Sequence, residues 1–122
     1  MPIVSIDVLG SPNEHLAIRF SQAVHATAVE FLHAEAELLT VRVSFAQTSD
    51  KWFFNLEPLA PTISPAFYLL APIGRGIASD IEVAQFTVET RNRLRMILVE
   101  EYPGTSAPNY PDRNKVVVVE MP

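Results

Sequence analysis

The sequence predicts an α/β (α+β) fold of two tandem β-α-β units, with a four-stranded mixed sheet that carries two helices on one face. One order of elements occurs twice: a proline, an apolar strand, a glycine, a helix-capping motif, a helix and a second strand, beginning at Pro2 and again at Pro65. Right-handed crossovers through a helix join parallel strands, so each unit supplies a parallel pair. The 122 residues are enough for one domain, with pseudo-repeats over about 1–64 and 65–122.

The first unit opens with a strand and a helix. Ile3–Leu9 is a short apolar run rich in strand formers, which is typical of a buried strand. Ser11 and Glu14 have the spacing of a capping box with Pro12 at the first helical position, and they predict a helix that runs to about Ala34. Its apolar face recurs at spacings of three and four residues and consists of Leu16, Phe20, Val24, Thr27 and Phe31.

The unit closes with a strand of alternating polarity over Leu38–Phe45. This alternation points Arg42 away from the apolar side chains of the strand. The connection to the second unit contains turn-forming residues over Thr48–Lys51, the aromatic run Trp52–Phe54 and a proline-rich stretch over Glu57–Pro65. We predict a short hairpin or a crossing loop here rather than a linker between domains.

The second unit repeats this plan. Ala66–Leu70 is predicted as a strand that ends before Pro72, and Gly74–Gly76 as a tight turn. Ser79–Glu82 has the capping-box spacing and begins a helix that runs to about Glu101. Its predicted core face consists of Val83, Phe86, Thr90, Leu94, Ile97 and Leu98.

A long irregular loop over Tyr102–Asn114 leads to the last strand, Lys115–Glu120. Its four consecutive valines suit a strand that is covered on both faces or lies at a subunit boundary. Two helices on one face of a four-stranded sheet leave the other face bare, and a bare apolar face has to be buried. We therefore expect a ring of identical subunits.

Composition excludes several classes of function. The formal net charge is −5 and the basic residues cluster only at Arg91, Arg93 and Arg95, so no nucleic-acid or anionic-membrane partner is expected. There is no cysteine, which excludes disulfides and thiolate sites. His15, His25 and His33 form no i, i+4 pair for a metal. Without a signal sequence or a run of roughly 20 apolar residues, we expect a cytoplasmic protein.

The arrangement resembles the 4-oxalocrotonate tautomerase family: Pro2 before a strand, Val41-Arg42-Val43 on the second strand, and Trp52-Phe53 beyond it. The two-unit length is similar to the longer members of the tautomerase superfamily, namely the macrophage migration inhibitory factor, 5-carboxymethyl-2-hydroxymuconate isomerase, malonate semialdehyde decarboxylase and cis-3-chloroacrylic acid dehalogenase groups. Ala23–Val29 is similar to the first helix of the decarboxylase group. The chain departs from many members by having Ser11 where they carry an arginine after the glycine.

The resemblance implies that Pro2, exposed as the N-terminus by removal of Met1, is the general acid/base. An α-amino group titrates at about 7.7–8.0, and both burial and nearby arginines lower its pKa towards neutrality, where a base works best. With Met1 retained, Pro2 is an ordinary imide nitrogen without basicity. A proline tolerated at the start of a strand is the alternative explanation.

The resemblance also assigns roles to three other residues. Arg75, between two glycines, matches the arginine that binds the substrate carboxylate; otherwise it is a solvated turn residue. Arg42 matches the strand arginine that polarises the substrate carbonyl or binds a second carboxylate; otherwise it makes an exposed ion pair. Trp52 matches the aromatic wall of the pocket; otherwise it packs in the core.

These residues together predict a homotrimeric, cofactor-independent tautomerase or isomerase. Its substrate would be a small unsaturated 2-oxo or 2-hydroxy carboxylic acid. Decarboxylation, hydration or dehalogenation at the same site is the second hypothesis, and it needs a carboxylate such as Glu37 or Glu120, the latter otherwise a solvated charge at a strand end. The third hypothesis is a trimeric binding protein that has the fold and no activity.

Overall fold

The computed structural model describes residues 3–46, 53–54, 57–58, 66–106 and 113–122. In chain order, the elements are β1 (Ile3–Leu9), α1 (Glu14–Phe31), β2 (Thr40–Ala46), β3 (Phe53–Phe54), β4 (Glu57–Pro58), β5 (Ala66–Gly74), α2 (Asp80–Glu101), a 3₁₀ turn (Pro103–Ser106) and β6 (Lys115–Met121).

Four strands form one sheet in the order β2-β1-β5-β6. β1 is parallel to β2 and β5 is parallel to β6, whereas the central strands β1 and β5 are antiparallel. A helix lies between the two strands of each parallel pair in the chain, so the predicted pair of β-α-β units and the mixed sheet are confirmed. The short strands β3 and β4 pair with each other, which confirms a hairpin in the described part of the connection.

The hydrophobic core lies between the two helices and one face of the sheet. β1 contributes alternate residues to it, Val4, Ile6 and Val8, as the period of two in a strand requires. The rings of Phe20 and Phe67 meet edge to face with centroids 5.7 Å apart. The predicted core face of α2 is confirmed, because its buried residues are Phe86, Thr90, Leu94, Ile97 and Leu98.

The opposite face of the sheet is uncovered and partly apolar within one chain. Five apolar or aromatic side chains on this open face are 37 to 48% exposed: Ile3, Tyr68, Leu70, Val119 and Met121. Water-exposed apolar groups arranged on one surface mark a site of association. The prediction that the helices leave one sheet face bare is therefore confirmed. The valines of β6 are not covered on both faces within one chain, because Val119 on the open face is exposed.

The two helices begin with different caps. Ser79 and Glu82 form the predicted capping box of α2: the Glu82 amide donates to Ser79 Oγ at 3.2 Å and the Ser79 amide donates to Glu82 Oε1 at 2.9 Å. The predicted cap of α1 at Ser11 is wrong. Asn13 is the N-cap, and its Oδ1 accepts a hydrogen bond from the Leu16 amide at 3.1 Å. Asparagine caps as well as serine does, so the helix starts two residues later than predicted, and Pro12 precedes it.

Two element ends also differ from the prediction. α1 ends at Phe31 and not near Ala34, because His33 has a left-handed backbone with a φ of 57°. β5 continues through Pro72 to Gly74. Its pairing with β1 runs only as far as Leu70, whereas its pairing with β6 continues, and a proline is tolerated where one side of a strand is unpaired.

Candidate active site

The ends of several elements meet at one end of the sheet. β1 begins there at Ile3 and β2 at Thr40, since these strands are parallel. β5 ends there at Gly74 and β6 at Met121, since β5 runs antiparallel to β1 and parallel to β6. Each helix returns antiparallel to the strand before it, so α1 ends and α2 begins at the same place. We call this the front end of the sheet, defined by these four residues.

Two residues that the sequence assigns to the site, Pro2 and Trp52, lie outside the described residues. Pro2 directly precedes Ile3 in the sequence, and Ile3 is the first residue of β1 at the front end. The roles of Pro2 and Trp52 therefore remain predictions.

Arg75 lies in the turn between β5 and α2, at the front end. The turn is tight: the Ile77 amide donates to the Gly74 carbonyl at 3.3 Å, and Gly76 has a φ of 75°, which favours glycine. A Cβ on Gly74 would lie 3.1 Å from the side chain of Ile77. The Arg75 side chain is 80% exposed, and its Nε lies 3.7 Å from Glu120 Oε1. Because such an exposed ion pair is weak, the guanidinium is accessible to another anion.

Arg42 lies on the open face of the sheet. It pairs with Ser5 across the β1–β2 ladder, and its Nη2 donates to the Ser5 hydroxyl at 3.2 Å. Glu120, which neighbours Arg75, shares the helix-covered face with Val118 by the alternation of β6. Arg42 therefore lies on the outer strand β2 and on the open face, whereas Arg75 lies in the turn after the central strand β5, next to a residue of the helix-covered face. One chain by itself does not bring them together.

An apolar cavity of about 250 Å³ lies between the front end of the sheet and the end of α1. An apolar cavity of about 150 Å³ already accommodates benzene, so this volume suits a small organic group. Glu35 and His33 add polar atoms to its wall, and Gly74 brings it next to the Arg75 turn. Its main apolar lining consists of Val4, Leu32, Leu39, Ala71, Ile73 and Ile77.

His33 is a site residue that the sequence did not identify. Its Nε2 lies 2.6 Å from Glu82 Oε2, which joins the end of α1 to the start of α2. The hydrogen bond from the Ser79 amide is the main reason why the pKa of Glu82 lies below its usual value; the Ser79 hydroxyl and His33 add to this, while desolvation opposes it. The sequence carries no local signal for this pair, because its residues are 49 positions apart. Only the β-α-β topology, which returns the end of α1 to the front end, indicates where His33 lies.

The described residues hold no other obvious chemistry. Among them, no three His, Cys, Asp or Glu side chains lie close enough together to hold a metal ion. No helix in the described ranges is both long and apolar enough to cross a membrane. What the front end combines is an accessible guanidinium, an apolar cavity and the described start of β1.

The fold is shared with solved structures across nearly the whole chain. A symmetric trimer of wild-type fused 4-OT (Q0) has a TM-score of 0.74 at 11% identity, over 99% of this chain and 86% of that one. N1, a member of the cis-3-chloroacrylic acid dehalogenase family, has a TM-score of 0.73 at 14% identity, over 99% of this chain and 76% of that one. MIF2 of Leishmania major has a TM-score of 0.65 at 16% identity, over 99% of this chain and 89% of that one.

Sequence comparison does not reach these proteins: no family model matches the chain, and no curated protein matches it either. The structural neighbours named above are tautomerase-superfamily proteins, so the resemblance predicted from the sequence is confirmed for the architecture. At identities of 11 to 16%, the likeness concerns the fold. The chain has the fold of the tautomerase superfamily.

Proposed function

We propose that this protein is a tautomerase or isomerase in which the N-terminal Pro2, freed by removal of Met1, acts as general acid and base. The supporting observation is that the apolar cavity and the Arg75 turn adjoin the end of the sheet at which β1 begins. The substrate is a small unsaturated 2-oxo or 2-hydroxy carboxylic acid, and no cofactor takes part. The shared fold supports the proposal and does not itself identify the reaction.

The chemistry needs a neutral secondary amine at ambient pH. An apolar cavity wall disfavours the charged ammonium, and guanidinium groups disfavour it again, so both lower the pKa of the amine. The amine takes a proton from the substrate and returns it one position along the conjugated system. General acid–base catalysis of this kind contributes about 10²- to 10⁴-fold to a rate.

Arg75 binds the substrate carboxylate. A planar guanidinium binds a carboxylate with two parallel hydrogen bonds. Arg75 and Glu120 make only one ion-pair contact, at 3.7 Å, so we expect the substrate carboxylate to displace Glu120. The reacting carbons then occupy the apolar cavity, and the aromatic wall of the pocket is the role that the sequence assigns to Trp52. Arg42 assists at the substrate oxygen. Since it lies on the other face from Glu120, it does so in a site that neighbouring copies of the chain share.

The assembly that brings these groups together is a homotrimer. The half-exposed apolar side chains of the open face support it, because a second copy would remove them from water. Two fused 4-OT structures with this fold are a symmetric and an asymmetric trimer. Sedimentation equilibrium is expected to give about three times the 13.6 kDa of one chain.

The test compares three proteins in an ultraviolet assay of enol-to-keto conversion. Intact mass first establishes that Met1 has been removed. Pro2→Ala is expected to lower kcat/KM by about 10²-fold or more, because it replaces the secondary amine. Pro12→Ala, which changes an exposed loop proline, serves as the matched control and keeps wild-type activity. Equal rates for Pro2→Ala and the wild type would refute the proposal.

A second candidate reaction is hydration or hydrolytic dehalogenation, with decarboxylation as its relative. The observation that favours it is the carboxylate of Glu120, 3.7 Å from the arginine that would hold the substrate. A carboxylate in this position can activate water. Halide release from a 3-haloacrylate, lost in Glu120→Gln, would identify this reaction. A processed protein that is inert in both assays would be a binding protein with this fold.

A further inference from the structure

His33 connects the end of α1 to the cap of α2. The residue follows the C-cap Leu32 in a left-handed conformation, with a φ of 57°, which is uncommon for a side chain other than glycine. The helix end is held by a bond from the Ala34 amide to the Ala28 carbonyl at 3.2 Å. Such a conformation persists where the surroundings determine it, and it often marks a functional position.

Glu82 uses its two carboxylate oxygens for two tasks. Oε1 accepts from the Ser79 amide at 2.9 Å and closes the capping box, while Oε2 lies 2.6 Å from Nε2 of His33. The contact joins residues 49 positions apart, so it ties two helix ends that the local chain does not connect. The start of α2 is thereby held against the end of α1.

Between this cap and the sheet lies the turn that carries Arg75. One end of the turn is held by the β5–β6 ladder, where Gly74 pairs with Met121. The other end is Ser79, which the carboxylate of Glu82 holds. The part between them contains Gly76 in a left-handed conformation and a single internal bond, from Ile77 to Gly74. The position of Arg75 therefore depends on the position of the Ser79 cap.

We propose that His33 is a positioning residue for Arg75. It holds Glu82, Glu82 holds the Ser79 cap, and the cap sets the turn from which Arg75 reaches an anion. His33 and Gly74 also line the same cavity, so displacement of either changes the space next to the guanidinium. This inference rests on the carboxylate-binding role that the proposed function gives to Arg75.

The chain contains a matched control at the other end of the same helices. Nδ1 of His15 lies 2.5 Å from Glu101 Oε1, so a second histidine–glutamate pair joins the start of α1 to the end of α2. It lies at the opposite end of the sheet from Arg75, where Arg19 of α1 also pairs with Glu100 and Glu101 of α2. His15→Ala therefore tests whether the loss of a histidine–glutamate pair between the helices is enough by itself to weaken binding.

The experiment measures the binding of phenylacetate, a monocarboxylate that does not react. Its Kd is obtained from NMR shifts of the Gly74 and Gly76 amides in the processed protein. His33→Ala is expected to weaken binding about fivefold, within the range for a residue that acts on a site through its neighbours. His33→Gln keeps a donor for Glu82 and is expected to restore most of the affinity. His15→Ala is expected to bind like the wild type.

Two further readouts separate positioning from general destabilisation. In an Arg75→Ala background, adding His33→Ala is expected to change the Kd no further, because the effect passes through Arg75. Amide exchange at Ile77 and Glu82 is expected to rise in His33→Ala and to stay unchanged in His15→Ala.

Any of four results would overturn the inference: no binding of phenylacetate by the wild type, an unchanged Kd in His33→Ala, an equal loss in His15→Ala, or a loss that persists without Arg75. Binding is measured without turnover, so this test does not depend on catalysis. If the protein shows the expected pattern of Kd values but does not convert enol substrates, the proposed function is rejected and the positioning role of His33 stands.

Discussion

A buried pair of threonine hydroxyls between the helices gives a sharp test of the packing described above. Thr90 Oγ1 donates to Thr27 Oγ1 at 2.7 Å, and Thr27 Oγ1 shares its one proton between the carbonyls of Ala23 and Val24, both at 3.2 Å. Both threonines are fully buried. Valine has nearly the same shape as threonine, so Thr→Val removes the hydroxyl and leaves the packing volume almost unchanged.

The expected loss of unfolding free energy in each variant depends on which hydroxyl is left without a hydrogen-bond partner. Thr27→Val leaves the Thr90 hydroxyl buried without its acceptor, which costs about 2 kcal/mol of unfolding free energy. Thr90→Val costs less, about 1 kcal/mol, because Thr27 still donates to the helix carbonyls. In the double variant both partners are apolar and of the original shape, so it should lie within about 1 kcal/mol of the wild type. The coupling between the sites is thus about 2 kcal/mol.

The assay is urea unfolding followed by far-ultraviolet circular dichroism, at one protein concentration because subunit association shifts apparent stability. Thr87→Val is the control: its hydroxyl donates to Val83 of the same helix at 2.9 Å, and we expect a change within about 0.5 kcal/mol. If the effects of Thr27→Val and Thr90→Val simply add in the double variant, the hydroxyl pair does not exist in solution and the reasoning is refuted.

Two further predictions concern the helix starts. Ser79→Ala should lower the unfolding free energy by about 1 kcal/mol, whereas Ser11→Ala should leave it unchanged, because Asn13 is the cap of α1; the reverse order in urea midpoints would contradict the assigned caps. The pKa of Glu82 is lowered in the folded protein, so its stabilisation is complete above the unfolded value of about 4.3 and is lost as the pH falls through the folded value. Glu82→Gln should therefore be less stable than the wild type at pH 7, with a difference that shrinks below about pH 4; a difference independent of pH would count against the bond.

Much of the fold could be predicted because its signals are local. The spacing of Leu16, Phe20 and Val24 identifies one helix face within a few turns of chain. The alternation around Arg42 identifies the polar side of β2 without knowledge of its neighbours. Errors arose where two local signals competed. Ser11 and Asn13 are both good caps, and the choice between them depends on where the chain leaves β1, which neither residue determines.

The candidate site was predictable only in part. The glycines around Arg75 mark a tight turn before a capped helix, and the turn is present at the front end. The pairing of His33 with Glu82 could not be predicted, because it joins residues 49 positions apart and requires the crossover geometry. Pro2 and Trp52 lie outside the described residues, so their roles still rest on the sequence and on the proposed assay.

The sequence by itself determined the order of elements, the helix faces, the α2 cap and the residues capable of chemistry. These follow from periods of 2 and 3.6 residues and from cap spacings, all of which act within a few positions of the chain. Strand order and register depend on contacts between distant segments, so only the tertiary structure decided them. It put Arg42 on the open face and Arg75 in a turn beside Glu120 of the helix-covered face, left an apolar sheet face open to a neighbour, and joined His33 to Glu82 beside the cavity.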